Sequence, residues 1–407
     1  MKYLFLLGDG MSDLPVPELN NKTPLQCANK PTIDYLASKA EVGMVNITPE
    51  GCKGGSDVGN LSALGYDPRV YLTGRAPLEA AALGIKMLEQ DVALRCNLVC
   101  LSENELYEER IMLDYSSDEI STYEASQLID ALNNAFKSTL LEFFPGVSYR
   151  HCLILHNALV NMKLTPPHDI TDKTIKDYLP KGDHNSLLLD LMKKSAAVLA
   201  EHPVNIERIK QGKKPANSIW LWGQGRRLEL PAFKEKYGKS GAMVTAVDLL
   251  RGIANLAQMR VMHVEGATGN LKTNFVGKAQ AVLTAFKEGN AFEKGVAFCY
   301  LHFEAPDECG HRHEVEGKVL AIEKIDGALK IVLDGLKAMD EQYCVLIMPD
   351  HPTPLSTGSH SSDPVPYLLY RSNAEVQSGV SCYCEEEAKK TGIVAQIGYE
   401  LIERLLQ

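Results

Sequence analysis

Asp307 and His311 stand four positions apart, and residues i and i+4 of a helix share one face, where both can reach a single ion. A second pair, Asp350-His351, follows the apolar run Cys344-Val345-Leu346-Ile347-Met348. Neighbouring side chains diverge there, so this pair suits an ion shared with another segment. A third donor, His360, lies in the polar loop Gly358-Ser359-His360-Ser361-Ser362-Asp363-Pro364. Taken singly, each has a plain reading as a helix cap, a turn aspartate or a solvated loop histidine. With Asp9, which follows another apolar run, they make a set of oxygen and imidazole-nitrogen donors without a thiolate, suited to two divalent ions such as Mn2+ or Zn2+. Two ions about 4 Å apart stabilise both the attacking and the leaving oxygen of a phosphoryl transfer.

Such chemistry needs a nucleophile, and Gly54-Gly55-Ser56-Asp57-Val58-Gly59-Asn60 offers Ser56. Paired glycines permit close backbone approach, and Ser56 would open a helix over Val58 to Leu64, whose dipole and free amide protons favour an ionised or phosphorylated oxygen. A serine held beside a cation ionises near neutral pH without a histidine base. The plain alternative is that Ser56 or Asp57 only caps that helix. Two other schemes fail: Gly238-Lys239-Ser240 lacks the glycine of a P-loop, since Phe233 stands five positions before Gly238, and Val58 occupies the second glycine position of a nucleophile elbow.

These residues need a scaffold that gathers them. Tyr3–Leu7 runs into Gly8-Asp9-Gly10, Val296–Leu301 into Glu304-Ala305-Pro306-Asp307, and Cys344–Met348 into Pro349-Asp350-His351. Each reads as a buried parallel strand with an aspartate at or beyond its carboxyl end, the edge where open α/β sheets place ligands. Helical spacing between them, as in Val319 to Met339, predicts an α/β sandwich around a mostly parallel sheet. Glu103 to Asn217 reads differently, with charged amphipathic helices over Ile120 to Phe136 and Leu187 to Leu199. We expect residues 86–214 to form an inserted α+β domain within a discontinuous core of residues 1–85 and 215–407.

Composition narrows the partners. The 407 residues are 45% hydrophobic and 23% charged, which is globular, and a net charge of -10 has the wrong sign for a nucleic-acid surface. No window approaches the roughly 18 apolar residues of a membrane span, and the N-terminal apolar run is short for a signal peptide. The ten cysteines form no Cys-x-x-Cys pair, so we expect reduced thiols and a cytoplasmic protein, with oligomeric state open.

Leu7-Gly8-Asp9-Gly10, Gly55-Ser56-Asp57, Leu64-Gly65-Tyr66-Asp67-Pro68, Thr73-Gly74-Arg75, Ala305-Pro306-Asp307-Glu308-Cys309-Gly310-His311 and Pro349-Asp350-His351 resemble, nearly end to end, the archaeal-type cofactor-independent phosphoglycerate mutases of the alkaline phosphatase superfamily. The resemblance implies an alkaline-phosphatase-like three-layer α/β sandwich with an inserted α+β lid domain that closes over substrate. It implies one metal on Asp307, His311 and His360 and another on Asp9, Ser56, Asp350 and His351, with Mg2+ and Co2+ as further candidates. Ser56 would take the phosphoryl group of a phosphoglycerate and return it to the neighbouring hydroxyl, without 2,3-bisphosphoglycerate, in glycolysis and gluconeogenesis. The small phosphorylated acid would be bound by Arg75, Arg95, Asn97, Arg150, His151, His168 and Asp169, each in a segment matching the family pattern; arginine's planar fork suits carboxylate and phosphate alike. One departure is Trp222, in Ser218-Ile219-Trp220-Leu221-Trp222-Gly223-Gln224-Gly225, where archaeal mutases carry an arginine. In this the chain is similar to a bacterial branch proposed as homoserine kinases of threonine biosynthesis, which makes that activity the alternative. A phosphatase or an inactive binding protein are the remaining ones.

Overall fold

A strand apolar on both faces must be covered on both, and Leu4, Leu6 and Leu7 are fully buried with Phe5 nearly so. Burying such a side chain contributes about 1.5–3 kcal/mol each, so this run belongs at the centre of a sheet. In the computed structural model, which describes residues 1–288 and 295–407, the chain forms two compact units, residues 1–72 with 229–407 and residues 73–228. The described strands are, in chain order, β1 (Lys2–Gly8), β2 (Glu41–Val45), β3 (Val92–Leu101), β4 (Met112–Asp114), β5 (Leu141–Val147), β6 (Arg150–Leu155), β7 (Met162–Lys163) and β8 (Lys181–Gly182). They continue with β9 (Ser218–Arg226), β10 (Gly241–Val244), β11 (Arg260–Met262), β12 (Phe298–Phe303), β13 (Tyr343–Met348), β14 (Val365–Arg371) and β15 (Val394–Ala395).

The first unit is a three-layer α/β sandwich. Its sheet runs β11-β10-β12-β1-β13-β14-β2-β15, with β14 alone set against the common direction. On one face Leu4, Leu6, Cys299, Leu301, Val345 and Ile347 pack under the helices Pro31–Ser38, Phe275–Lys287 and Val315–Ala338. On the other face Phe233 stacks on Phe298 and Phe5 packs against Tyr300. The register pairs Gly8 with Phe303 and Leu7 with Met348, so the segments opening at Asp9, Glu304 and Pro349 leave one edge of the sheet side by side.

Three expected boundaries move. β12 ends at Phe303 rather than Leu301, because His302 is fully buried and hydrogen-bonded within the sheet, where sequence alone reads a polar stop. The second unit begins near residue 73 and ends near 228, rather than at 86 and 214. The helix Arg75–Ala82 buries Ala76 and Ala80 against Ala93, Cys152 and Ile154 of the second sheet, and β9 pairs with β3. That sheet runs β4-β3-β6-β5 with β9 on β3, packed by helices Thr122–Phe136 and Asn185–Ala200. The first of these opens with a capping box from Ser121 and Glu124, two residues inside the expected start.

Candidate active site and metal-binding groups

Three parallel neighbours, β12, β1 and β13, deliver Asp307, Asp9 and Asp350-His351 to one edge, and the loop joining β13 to β14 adds His360. Two groups of donor atoms result, Asp307 with His311 and His360, and Asp9 with Asp350 and His351. Gly10 shows how tight the junction is. It sits at φ +60°, and a Cβ there would lie 2.7 Å from Asp307 Oδ1, so both the left-handed backbone and the space exclude a side chain.

In the first group, His311 Nε2 is 3.1 Å from Asp307 Oδ2, His360 Nε2 is 3.4 Å from Asp307 Oδ1, and the two Nε2 atoms are 3.0 Å apart. His311 Nδ1 lies 2.8 Å from the Gly358 carbonyl, which can only accept, so Nδ1 carries a proton and Nε2 is the atom turned toward Asp307 and His360. Hydrogen bonding to Asp307 raises His311 to about 9, against burial, so a proton and a cation compete for this place. Burial pushes the Asp307 carboxyl up, but its contacts with His311 and His360 outweigh that and hold it far below the carboxylate range.

In the second group, His351 Nε2 faces oxygens only: Ser56 Oγ at 3.3 Å, Asp350 Oδ2 at 3.4 Å and Asp9 Oδ1 at 3.5 Å. Thr353 donates its hydroxyl to Asp307 Oδ1 and lies 3.2 Å from His351 Nδ1, which therefore carries the ring proton and leaves Nε2 a lone pair. Burial holds this imidazole below its usual range. Burial, then the charges of Asp350 and Asp307, push the Asp9 carboxyl well above its range, and Asp9 Oδ1 is buried without a hydrogen-bond partner. Lone pairs facing carboxylates repel unless a cation lies between them. Ligands about 2.0–2.2 Å from a tetrahedral ion stand about 3.3–3.6 Å apart; the second group shows that spacing and the first, at 3.0–3.4 Å, is slightly tighter, so with their oxygen and imidazole donors both suit a divalent ion.

Ser56 is the first residue of helix Ser56–Ala63, after the paired glycines. Close packing of Gly59 on Asp350, where a Cβ would lie 2.7 Å from the Asp350 Cβ, holds this helix end against β13. Asn60, four residues on and fully buried, donates to Asp350 Oδ2 at 2.9 Å and to the Ser56 carbonyl at 2.8 Å, and accepts from Tyr300 OH at 2.7 Å. Asp57 accepts from the Val58 amide and takes no part in either donor group. Sequence reading missed Asn60, Thr353 and Tyr300. The i+4 spacing of Asn60 from Ser56 was a usable signal for the first; nothing local marks the other two.

The second unit gathers cations. Arg95 is buried, with Nε 2.9 Å from Glu79 Oε2 in an ion pair without hydrogen-bond alignment, and its guanidinium lies 4.1 Å from the Trp222 ring centroid. Burial lowers Arg95 to about 10, with Glu79 opposing and Arg75 and Arg150 adding to the shift. Trp222 donates to Asn97 Oδ1 at 2.9 Å and meets His168 edge-on at 5.4 Å. Arg75 Nε is 3.9 Å from Glu79 Oε1, and Asp169 is exposed beside His168. His151 stands apart. It pairs with Cys96, so alternation turns its buried ring away from the face of Arg95 and Asn97; Nδ1 accepts from the Gly146 amide, and burial lowers the imidazole to about 3. Trp222, the departure from the family pattern, stacks on the Arg95 guanidinium.

A serine at a helix N-terminus beside donor groups that could hold divalent ions, on the carboxyl edge of a mostly parallel sheet, is an arrangement that suits phosphoryl transfer. Residues 37–205 match the family model described as 2,3-bisphosphoglycerate-independent phosphoglycerate mutase. The chain is 45% identical over 392 residues to the protein of that name from Methanosarcina barkeri, spanning 96% of this chain and 95% of the relative. It is 44% identical over 408 residues to a probable mutase of the same name from Geobacter sulfurreducens, over the full length of both. A solved structure of a Pyrococcus horikoshii protein, 27% identical, matches with a TM-score of 0.81 over 100% of this chain and 98% of that one. The chain belongs to the 2,3-bisphosphoglycerate-independent phosphoglycerate mutase family, a family of isomerases.

Proposed function

We propose that this chain interconverts 3-phosphoglycerate and 2-phosphoglycerate through a phosphoserine at Ser56, with two divalent cations and no 2,3-bisphosphoglycerate. The observation that carries the reading is Ser56 Oγ, 3.3 Å from His351 Nε2 at the mouth of one donor group, in a chain of the mutase family. Divalent ions held by Asp307, His311 and His360 and by Asp9, Asp350 and His351 would neutralise phosphoryl charge and favour ionised serine, with Mn2+ or Zn2+ suiting the imidazole-carboxylate sets and Mg2+ and Co2+ as further candidates. The Oγ–P bond forms as the bond from phosphorus to the substrate oxygen breaks. The neighbouring hydroxyl of the retained glycerate then attacks the same phosphorus and frees Ser56. Two displacements preserve configuration at phosphorus.

Arg75, Arg95 and Arg150 are the cations of the second unit suited to an anionic substrate, with Asn97, His168 and Asp169 near them. His151 supports the hairpin behind them rather than the same face. The ten cysteines are unpaired, which fits the reducing compartment where such an acid is found. Among the described residues no helix is long and apolar enough to cross a membrane.

The test is to supply metal-loaded enzyme with 3-phosphoglycerate alone and, separately, with homoserine and ATP, following both products by phosphorus NMR. Formation of 2-phosphoglycerate without added 2,3-bisphosphoglycerate is expected. Phosphohomoserine with no 2-phosphoglycerate would overturn the reading in favour of the kinase.

A further inference from the structure

Asp9 has one oxygen without a hydrogen bond, Oδ1, 3.5 Å from His351 Nε2, and the other, Oδ2, 3.0 Å from His302 Nε2. His302 Nε2 is 3.0 Å from Asp9 Oδ2, and His302 Nδ1 is 3.2 Å from Thr245 Oγ1. Thr245 Oγ1 accepts from the Val247 amide at 3.1 Å, which leaves its own proton for His302 Nδ1. A carboxylate oxygen requires a donor, so the chain of bonds has one direction: Val247 N–H to Thr245, Thr245 O–H to His302 Nδ1, and His302 Nε2–H to Asp9 Oδ2.

The sheet builds this row. β10, β12 and β1 are adjacent and parallel, Val244 pairs with Leu301 and Leu7 with His302. Thr245, His302 and Asp9 therefore come out on one face at the carboxyl edge. Lys278 Nζ donates to the His302 carbonyl at 3.1 Å and the Asp9 amide to the Phe303 carbonyl at 2.9 Å, so the backbones on both sides are pinned. Thr245, His302 and Asp9 are all buried. A carboxylate crowded by Asp350 and Asp307 would otherwise turn to separate the charges.

We propose that His302, oriented by Thr245, is a positioning residue for Asp9: it ties Oδ2 into the sheet so that Oδ1 alone is offered to the cation held with Asp350 and His351. This rests on the metal reading of that group. Residues that orient ligands in this way typically carry about 10–100-fold in metal affinity, and the loss falls on one site only.

The experiment is calorimetric titration of metal-stripped full-length protein with Mn2+, with thermal melts of each apoprotein to confirm folding. Wild type should bind two ions. His302→Leu should bind one as wild type does and the other about 10–100-fold more weakly, and His302→Gln, which keeps an N–H near the Nε2 position, should recover most of that loss. Should His302→Leu not fold, Thr245→Val carries the test, weakening the same single site severalfold while Thr245→Ser restores it. Folded His302→Leu or Thr245→Val with both affinities unchanged, or both sites weakened equally, would overturn the positioning role while the metal reading stands. No Mn2+ binding by wild type would overturn the metal reading itself, and the role of His302 with it.

Discussion

Lys318 is fully buried in the helix Val315–Ala338, and its ammonium is the strap between two loops of the first unit. Nζ donates to Asp13 Oδ2 at 2.6 Å, to the Thr353 carbonyl at 2.8 Å and to the Ser12 carbonyl at 3.3 Å. Asp13 in turn accepts from the amides of Leu14 and Leu355. The segment after Asp9 is thereby tied to the segment after Asp350-His351. Burial pulls the Lys318 ammonium below the usual lysine range, with Asp13 opposing, so the charge is tolerated only because it is paired. Lys318→Met keeps the volume but strands the Asp13 carboxylate and two carbonyls, and removing one partner of a buried pair costs about 3–5 kcal/mol. Lys318→Met with Asp13→Asn removes both charges and keeps an acceptor for the Leu355 amide, so it should recover about 2 kcal/mol of that. Urea unfolding followed by far-UV circular dichroism is the assay, since both tryptophans, Trp220 and Trp222, lie in the second unit and their fluorescence reports there. Single variants each costing under about 1 kcal/mol, adding without coupling, would refute the buried strap.

Asn60→Leu should cost about 3–5 kcal/mol, combining a lost charge-assisted bond to Asp350 with an orphaned Tyr300 hydroxyl; Tyr300→Phe in the same background should return about 1 kcal/mol, read by the same urea midpoint. Stripping metal with a chelator should lower the melting temperature, since an ion present at 100 times its Kd contributes about 2.7 kcal/mol per site; re-addition should restore it with two ions per chain by elemental analysis, and an unchanged melt would contradict the donor groups. Trp222→Leu removes the ring under Arg95, worth about 1 kcal/mol, so KM for phosphoglycerate should rise about fivefold with kcat nearly unchanged; a fall in kcat alone would assign Trp222 another task.

Much of the candidate site is legible in the sequence because it is made of residue types that do not belong where they stand. An aspartate directly after an apolar run, as at Asp9 and Asp350, is visible because a buried strand leaves few reasons for a charge at its end. The residues that hold the site are not visible, because their partners are far away along the chain. Thr353 reads as an ordinary loop residue until Asp307 is beside it, and Lys318 as a surface helix position until Asp13 is. The apolar run of β12 stops at Leu301, so nothing in the sequence marks His302 as buried; its partners after β1 and after β10 bury it. The boundary of the second unit fails for a related reason. The helix Arg75–Ala82 has a small apolar stripe that would fit either sheet, and only the structure shows that it covers Ala93 and Cys152. The cations at 75, 95 and 150 are legible as candidate anion binders, but alternation along β6 separates His151 from Arg150, which spacing alone does not reveal.

The central claim is that phosphate passes through Ser56. Metal-loaded enzyme mixed with 3-phosphoglycerate, quenched in acid within one turnover and digested, should yield phosphate on the peptide containing Ser56 by mass spectrometry. Ser56→Ala should carry none and lose at least about a thousandfold in kcat. Phosphate on a different residue, or an alanine variant that still makes 2-phosphoglycerate at the wild-type rate, would contradict the account.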